Sequence, residues 1–136
     1  VSNSVVPKFT FIIGNSFGAG NYAMCGKAYD PRLIFAWPNS KIAVMGGDQA
    51  AKTMLQIQVA NLKAKGKEIT PEEEKSLLDG IKSKYQKTLD PRYAAARLWT
   101  DGIIDPLDTR KVISMGIEAA NHAPITKPFN VGIIQT

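Results

Sequence analysis

The stretch that decides the fold runs from residue 9 to residue 26 and reads FTFIIGNSFGAGNYAMCG. Its first five residues, Phe9 to Ile13, form an apolar run that predicts a buried β-strand, because both faces carry apolar or β-branched side chains. The glycine-rich turn from Gly14 to Gly20 should lead into a short helix that begins at Ala19 or Gly20. A strand that feeds a helix through glycines leaves backbone N–H groups without partners at the helix start, and these can hold an anion or a developing oxyanion.

The residues alone leave two interpretations of Gly18, Ala19 and Gly20. In the first, their N–H groups bind a ligand, and the side chains are small because a bulky one would block its approach. A preorganised donor of this kind lowers a reaction barrier by roughly 3–4 kcal/mol. In the second, the small residues only allow a helix to pack tightly on a sheet. The spacing matches neither a Walker A loop nor the complete GxGxxG dinucleotide-binding fingerprint.

Further along the chain, two short apolar segments at 33–37 and 42–45 lie between turn residues and predict short strands. From Asp48 the apolar period becomes helical, and this helix should end near Gly66. The residues expected to face inward are Ala50, Ala51, Met54, Leu55, Ile57, Val59 and Leu62.

A second long helix should begin at Thr70, with Pro71 at its first position and Glu73 closing a capping box. The residues expected on its buried face are Leu77, Leu78, Ile81 and Tyr85. A short helix at 90–96 and a turn-strand segment at 99–104 follow.

The last helix should be capped by Asp108 and stopped by Pro124. The residues expected on its inner face are Val112, Ile113, Gly116, Ile117 and Ala120. The whole order predicts one α/β unit.

Composition limits the possible functions. The 136 residues suit a single domain, and 44% hydrophobic with 21% charged residues is ordinary for a globular protein. The net charge of +5 permits an anionic partner but does not demand one. No apolar run approaches the roughly 20 residues of a membrane helix, and the start lacks the pattern of a signal peptide. Because the chain opens at Val1 without methionine, we expect a piece of a longer protein.

Side chains offer little conventional chemistry. Cys25 is the single cysteine, so it cannot form an intrachain disulfide, and we expect a buried, inert thiol. His122 is the single histidine and should lie at a helix end. Asp101, Asp105 and Asp108 lack the pattern of a calcium loop, so turn and capping roles are expected. The lysines at 63, 65, 67, 75, 82, 84 and 87 should form a solvated helix face, without the aromatic residues of a nucleic-acid platform.

Three blocks carry a family resemblance. They read GNSFGAGNYAMCGKAYDPR at 14–32, FAWPNSKIAVMGGDQAA at 35–51 and ARLWTDGIIDPLDTR at 96–110. In this order they resemble the carboxyltransferase β subunits of biotin-dependent acyl-CoA carboxylases. The version at Gly18 to Tyr22 looks most similar to methylcrotonyl-CoA carboxylase and its geranyl-CoA relative, and it departs from the Gly-Gly-Ala-Tyr-Asp pattern of propionyl-CoA and acetyl-CoA types.

The resemblance implies an α/β crotonase-like fold, in which β-β-α units stack into a spiral. Residues 1–136 would be a single unit, the later part of the C-terminal carboxyltransferase domain. The family transfers a carboxyl group from carboxybiotin to an acyl-CoA. The backbone amides of Ala19 and Gly20 would be the catalytic groups that stabilise charge on the biotin ureido oxygen, and Phe17, Gly18, Ala19 and Gly20 would bind biotin. No metal is implied.

The resemblance also implies partners. These are an acyl-CoA substrate, a biotin carboxylase or carrier subunit that bears the biotin, and the other half of a neighbouring β subunit in a homo-oligomer, with no nucleic acid and no membrane. The location would be the bacterial cytoplasm or the mitochondrial matrix. The segment 48–88 would be an insertion that makes subunit contacts or covers the active-site face, or is simply solvated.

Two other functions remain open. One is a different crotonase-type enzyme, such as a hydratase, isomerase or decarboxylase acting on a CoA thioester. These enzymes typically add a Glu or Asp base, whereas the segment 14–26 contains no carboxylate. The other is a non-catalytic module or fragment. Because the acyl-CoA half is expected elsewhere, we expect this piece to be inactive alone.

Overall fold

The computed structural model describes Val1, residues 3–67, residues 69–123 and Pro128. The strands are β1 (Phe9–Ile12), β2 (Asn15–Phe17), β3 (Leu33–Ala36), β4 (Lys41–Ala43) and β5 (Gly102–Ile103). The helices are α1 (Gly18–Ala23), α2 (Gly47–Ala64), α3 (Pro71–Leu89), α4 (Pro91–Ala95) and α5 (Thr109–Asn121). Two 3₁₀ turns, Lys27–Tyr29 and Pro106–Asp108, connect them.

The strands form two small parallel sheets, in the orders β1-β3-β5 and β2-β4. Phe9 pairs with Leu33 in the first sheet, and Asn15 pairs with Lys41 in the second. The succession β1-β2-α1 is therefore repeated by β3-β4-α2, with each strand beside its equivalent. This stacking of β-β-α units is the spiral that the resemblance implies.

The glycine-rich segment differs from the sequence prediction. Asn15–Phe17 is a strand rather than part of a turn, and α1 begins at Gly18 rather than at Ala19 or Gly20. The pairing of β2 with β4 explains the difference, because the hydrogen bonds of this strand come from residues 26 positions further along the chain. Within β1 only Ile12 is buried, and Ile13 lies outside the strand and is exposed. The predicted strand is confirmed, but its complete burial is not.

The core lies between the two sheets and α4. Its buried residues are Ile12, Ile34, Ala36, Ile42 and Ala94. Helix α5 covers β1 and β3 through Gly116, where an added Cβ would lie 3.2 Å from the Phe9 ring and 3.3 Å from Leu33 Cδ1. The inward position predicted for Gly116 is confirmed, whereas Ile117 is exposed.

Helices α2 and α3 form a hairpin. The predicted capping box is present: the Glu73 N–H donates to Thr70 Oγ1 at 3.3 Å, and Glu73 Oε2 accepts from the Thr70 N–H at 3.0 Å. The hydrogen bond from the Thr70 backbone, followed by that from its hydroxyl, lowers the pKa of Glu73.

The apolar stripe of α2 is narrower than predicted. Ala50, Ala51 and Leu55 are buried, but Met54 and Ile57 are exposed. In the part of the chain that the structure describes, α3 is the main neighbour of α2, and it covers one side only.

The start of α5 also corrects the sequence prediction. Asp108 makes no side-chain capping bond, because it already has helical backbone angles as the last residue of a 3₁₀ turn. Asp105 caps the preceding 3₁₀ turn, where its carboxylate accepts from the Leu107 N–H at 2.8 Å. The predicted stop at Pro124 lies outside the described residues.

Candidate functional site: the start of α1 and the Met-Gly-Gly segment

Gly18 is a glycine for conformational reasons. Its φ is +49°, in the left-handed region that side chains disfavour. An added Cβ would also lie 2.8 Å from the carbonyl oxygen of Val44, which follows β4. The tight approach of these two backbone segments therefore accounts for Gly18 without a ligand, as the packing interpretation requires.

Ala19 and Gly20 have a different environment. Both are exposed in the first turn of α1, where N–H groups have no acceptor within the helix. The residue before the helix, Phe17, makes no side-chain cap to them. Among the described residues, no atom outside its own helix lies within 4 Å of the Cβ position of Gly20. Packing does not explain a glycine at this position, and the approach to these amides is open.

The Met-Gly-Gly segment lies beside this turn. An added Cβ at Gly46 would be 3.7 Å from Phe17 Cε2, so the phenyl ring faces the start of α2. Gly46 precedes α2 without a side-chain cap, and Gly47 is the first helical residue. The sequence predicts the end of a strand at these glycines and a helix from Asp48, one residue after the observed start of α2. The proximity of Gly46 to Phe17 was not predicted, because it joins positions 29 residues apart.

A polar cavity of about 430 Å³ lies between Phe17 and the hairpin. Lys82 Nζ and Asp48 Oδ1 form an ion pair of 3.0 Å at its wall. The hydrogen bond from Lys82 and its positive charge lower the pKa of Asp48. The Lys82 side chain is partly solvated, as predicted, and it also lines this cavity. The other lysines of that set, at 63, 65, 67, 75, 84 and 87, are exposed.

A second cavity, of about 520 Å³, borders Gly18 and is mainly apolar. Its lining includes Tyr22, Val44, Tyr85 and Trp99. Tyr22 and Val44 are exposed despite their apolar character. Phe17 therefore borders the polar cavity, and Gly18 borders the apolar one.

The remaining candidate residues lie apart from this turn or serve the fold. Cys25 is buried as predicted, with its carbonyl accepting from Thr10 Oγ1 at 2.7 Å. His122 is exposed at the end of α5. Asp101 accepts from the Ile34 N–H at 2.8 Å and from Lys27 Nζ at 3.3 Å, which is a structural role. The described residues contain no cluster of three or more His, Cys, Asp or Glu side chains that could hold a metal ion.

The stacked β-β-α units, with open amides at the start of a helix, define a crotonase-like α/β protein. Residues 1–131 match the sequence model of the carboxyl transferase domain. The chain belongs to the carboxyl transferase domain family, which confirms the resemblance.

Relatives of known name agree with this assignment. The mitochondrial methylcrotonoyl-CoA carboxylase beta chain of Dictyostelium discoideum is 48% identical over 128 residues, which is 94% of this chain and 22% of that protein. The biotin-dependent 3-methylcrotonyl-coenzyme A carboxylase beta1 subunit of Mycobacterium tuberculosis is 48% identical over 120 residues, 88% of this chain and 23% of the relative.

Solved structures show the same fold. The geranyl-CoA carboxylase beta subunit of P. aeruginosa has a TM-score of 0.76 at 38% identity, covering 96% of this chain and 25% of that one. The transcarboxylase 12S subunit, described as a hexamer, has a TM-score of 0.79 at 28% identity. The match covers 98% of this chain and 24% of that one. This chain thus spans about a quarter or less of the proteins it matches. None of the helices in the described ranges is both long and apolar enough to cross a membrane.

Proposed function

We propose that this chain is part of a carboxyltransferase β subunit that moves a carboxyl group from carboxybiotin to an acyl-CoA of the methylcrotonyl-CoA type. Residues 1–136 would form one unit in the later part of the C-terminal carboxyltransferase domain. The family membership and the relatives named as methylcrotonyl-CoA carboxylase subunits support the reaction class. Because the chain matches only 22% or 23% of those relatives, the activity belongs to the whole subunit.

The observation that carries the proposal for the site is the open first turn of α1. Ala19 and Gly20 are the catalytic groups in this proposal, and they act through their backbone N–H groups. A ligand oxygen can reach these donors because Gly20 has no side chain and the space beside it is free of protein atoms among the described residues. Donors fixed at a helix start stabilise developing negative charge without reorganising.

Biotin fits the residues present. When bound, biotin supplies the carboxyl group and a ureido oxygen that becomes more negative as this group leaves. Ala19 and Gly20 donate to that oxygen, Gly18 lets the turn approach it, and Phe17 offers an apolar face beside the turn. Residues 14–26 contain no carboxylate, and Asp48 in the wall of the polar cavity is held in an ion pair with Lys82, which suits a reaction whose proton acceptor is outside the protein chain.

The partners follow from the same proposal. The acyl-CoA would come from the other half of a neighbouring β subunit in a homo-oligomer, consistent with the hexamer described for the transcarboxylase 12S subunit. Biotin would be carried on a biotin carboxylase or carrier subunit. The location would be the mitochondrial matrix in a eukaryote or the cytoplasm in a bacterium. The relatives from Dictyostelium discoideum and Arabidopsis thaliana are named as mitochondrial. The isolated chain would be inactive.

The test is Gly20→Val in the full-length subunit, assembled with its biotin-bearing partner. We expect biotin-dependent carboxyl transfer to fall about 100-fold, the effect of losing an oxyanion donor, while acyl-CoA binding measured by calorimetry is unchanged.

Gly80→Val is the matched control, because Gly80 is also a helical glycine whose Cβ position is open. Equal turnover in Gly20→Val and the wild type would remove these amides from the mechanism. A wild-type complex that hydrates, isomerises or decarboxylates a CoA thioester without biotin would replace the proposed reaction.

A further inference from the structure

We propose that helix α3 is the positioning element of the Gly18–Gly20 turn, and that Tyr85 is its principal positioning residue. The inference rests on the proposed function, since it concerns the same turn. It gives the helix hairpin a role at the active site other than subunit contact or solvation. Tyr85 acts through the Met-Gly-Gly segment and touches no reacting atom in this proposal.

The first link joins α3 to the segment from Met45 to Asp48. The Tyr85 hydroxyl donates to the Met45 carbonyl at 3.0 Å, a bond across 40 residues. One helical turn away on either side, Lys82 pairs with Asp48 at 3.0 Å, and Leu89 packs on Gly47. An added Cβ at Gly47 would lie 3.2 Å from Leu89 Cδ1, so the contact is close. Three side chains from one face of α3 thus contact three residues of this segment, Met45, Gly47 and Asp48.

The second link joins that segment to the turn. The Val44 carbonyl, next to Met45, lies 2.8 Å from the position of an added Cβ at Gly18. Gly46 faces the Phe17 ring at 3.7 Å, measured from its added Cβ to Phe17 Cε2. A shift of the Met-Gly-Gly backbone is therefore transmitted to Phe17 and Gly18, which immediately precede the amides of Ala19 and Gly20.

The chemistry of the two links explains why Tyr85 matters most. Tyr85 is half-buried, and its hydroxyl fixes a backbone carbonyl directly. The Lys82–Asp48 pair is exposed and holds the same segment more weakly, since exposed ion pairs contribute little. Small misplacements of oxyanion donors lower a reaction rate without changing the binding of a substrate held elsewhere.

The experiment compares Tyr85→Phe, Lys82→Gln and Lys84→Gln in the full-length subunit with its biotin-bearing partner. Tyr85→Phe keeps the ring and removes only the hydroxyl. We expect its kcat for carboxyl transfer to fall about tenfold, with the KM for acyl-CoA unchanged. The kcat of Lys82→Gln should fall about two- to threefold. Lys84→Gln, on the exposed side of the same helix, should match the wild type.

Amide hydrogen exchange gives a readout that does not depend on activity. In Tyr85→Phe, the amides of residues 17–20 and 44–47 should exchange faster than in Lys84→Gln, while those of α5 stay the same. Should Tyr85→Phe fail to fold, Lys82→Gln at the exposed ion pair carries the same test with a smaller expected change.

Unchanged exchange at residues 17–20 would overturn the positioning role, and so would faster exchange with unchanged kcat. A rise in KM equal to the fall in kcat would also overturn it, because it would indicate general damage to substrate binding. If the wild-type complex shows no biotin-dependent transfer, the proposed function fails. The exchange data would then still decide whether α3 holds the turn.

Discussion

At the scale of single residues, Gly18 and Gly20 are glycines for different reasons. Gly18 combines a positive φ with a close backbone neighbour, so its role is fixed by the fold. Gly20 has open space around its Cβ position, so the fold does not require a glycine there. Gly18 is therefore required by the fold, whereas the glycine at position 20 is explained by the proposed chemistry.

Replacing Gly18 by alanine should destabilise the protein. The left-handed backbone costs a residue with a Cβ about 1–2 kcal/mol, and the contact with Val44 adds to that cost. We expect a lower thermal unfolding temperature for Gly18→Ala in the full-length subunit. Gly14→Ala is the control, because its Cβ position is open and its φ is not positive. An equal unfolding temperature in both variants would contradict the strain inferred at Gly18.

The sequence located this pair of glycines but could not divide their roles. The GNSFGAGNYAMCG pattern indicated a strand, a turn and a helix start, and the resemblance pointed to the amides of Ala19 and Gly20. The close neighbour of Gly18 is the Val44 carbonyl, which lies 26 residues further along the chain and is brought there by the pairing of β2 with β4. Local sequence carries no signal for such a contact.

At the scale of elements, the start of α3 follows local rules, whereas strand β2 depends on a distant partner. The capping box at Thr70 and the proline at the next position placed the start of α3 correctly. Strand β2, by contrast, was missed. Asn15 is disfavoured in strands and Phe17 is the one residue of the three that clearly favours them, so the pairing with the parallel strand β4 decides the structure.

Thr70→Ala should loosen the first turn of α3. Losing such a cap costs about 1 kcal/mol, so the Glu73 and Glu74 amides should exchange with solvent about fivefold faster. Thr53→Ala is the control, because Thr53 is exposed within α2 and bonds only to the Gln49 carbonyl of its own helix. Equal exchange in Thr70→Ala and the wild type would show that the cap contributes nothing to this helix.

At the scale of the whole molecule, Asp101 joins the third sequence block to the first block and to β3. Its carboxylate accepts from the Ile34 N–H on β3 and from Lys27 after α1, across 67 and 74 residues. Trp37 similarly donates to Thr109 at 3.0 Å across 72 residues. The third block therefore contacts the first through Asp101 and the second through Trp37, and its Trp99 lines the apolar cavity that borders Gly18.

Asp101→Ala should destabilise the protein by about 1–3 kcal/mol, because it leaves the Ile34 N–H without its side-chain acceptor. Lys27→Gln removes only the exposed ion pair and should change stability by less than about 1 kcal/mol. Thermal unfolding of both variants in the full-length subunit measures the difference. If the two variants have the same unfolding temperature, the contribution of Asp101 to stability comes from its ion pair with Lys27 instead.

Contacts of this range could not be read from the sequence. The acidic residues at 101, 105 and 108 were expected in turn and capping roles, and Asp101 and Asp105 do bond to backbone N–H groups. The partners of Asp101, however, depend on which strands stack in the spiral. The family resemblance predicted that stacking, whereas periodicity alone predicted only an α/β unit.

The close contact between Gly47 and Leu89 also has an evolutionary consequence. These residues are the first of α2 and the last of α3, so the chain leaves the spiral and returns to it at nearly one place. The residues that face the Met-Gly-Gly segment all lie near this base, while the turn around Gly66 is far from it in sequence. Because doubling a loop adds only about 0.6 kcal/mol of closure cost, the tip can lengthen or shorten with little effect on the sheets. Natural variation in chain length within this region should therefore accumulate at the tip of the hairpin and spare its base.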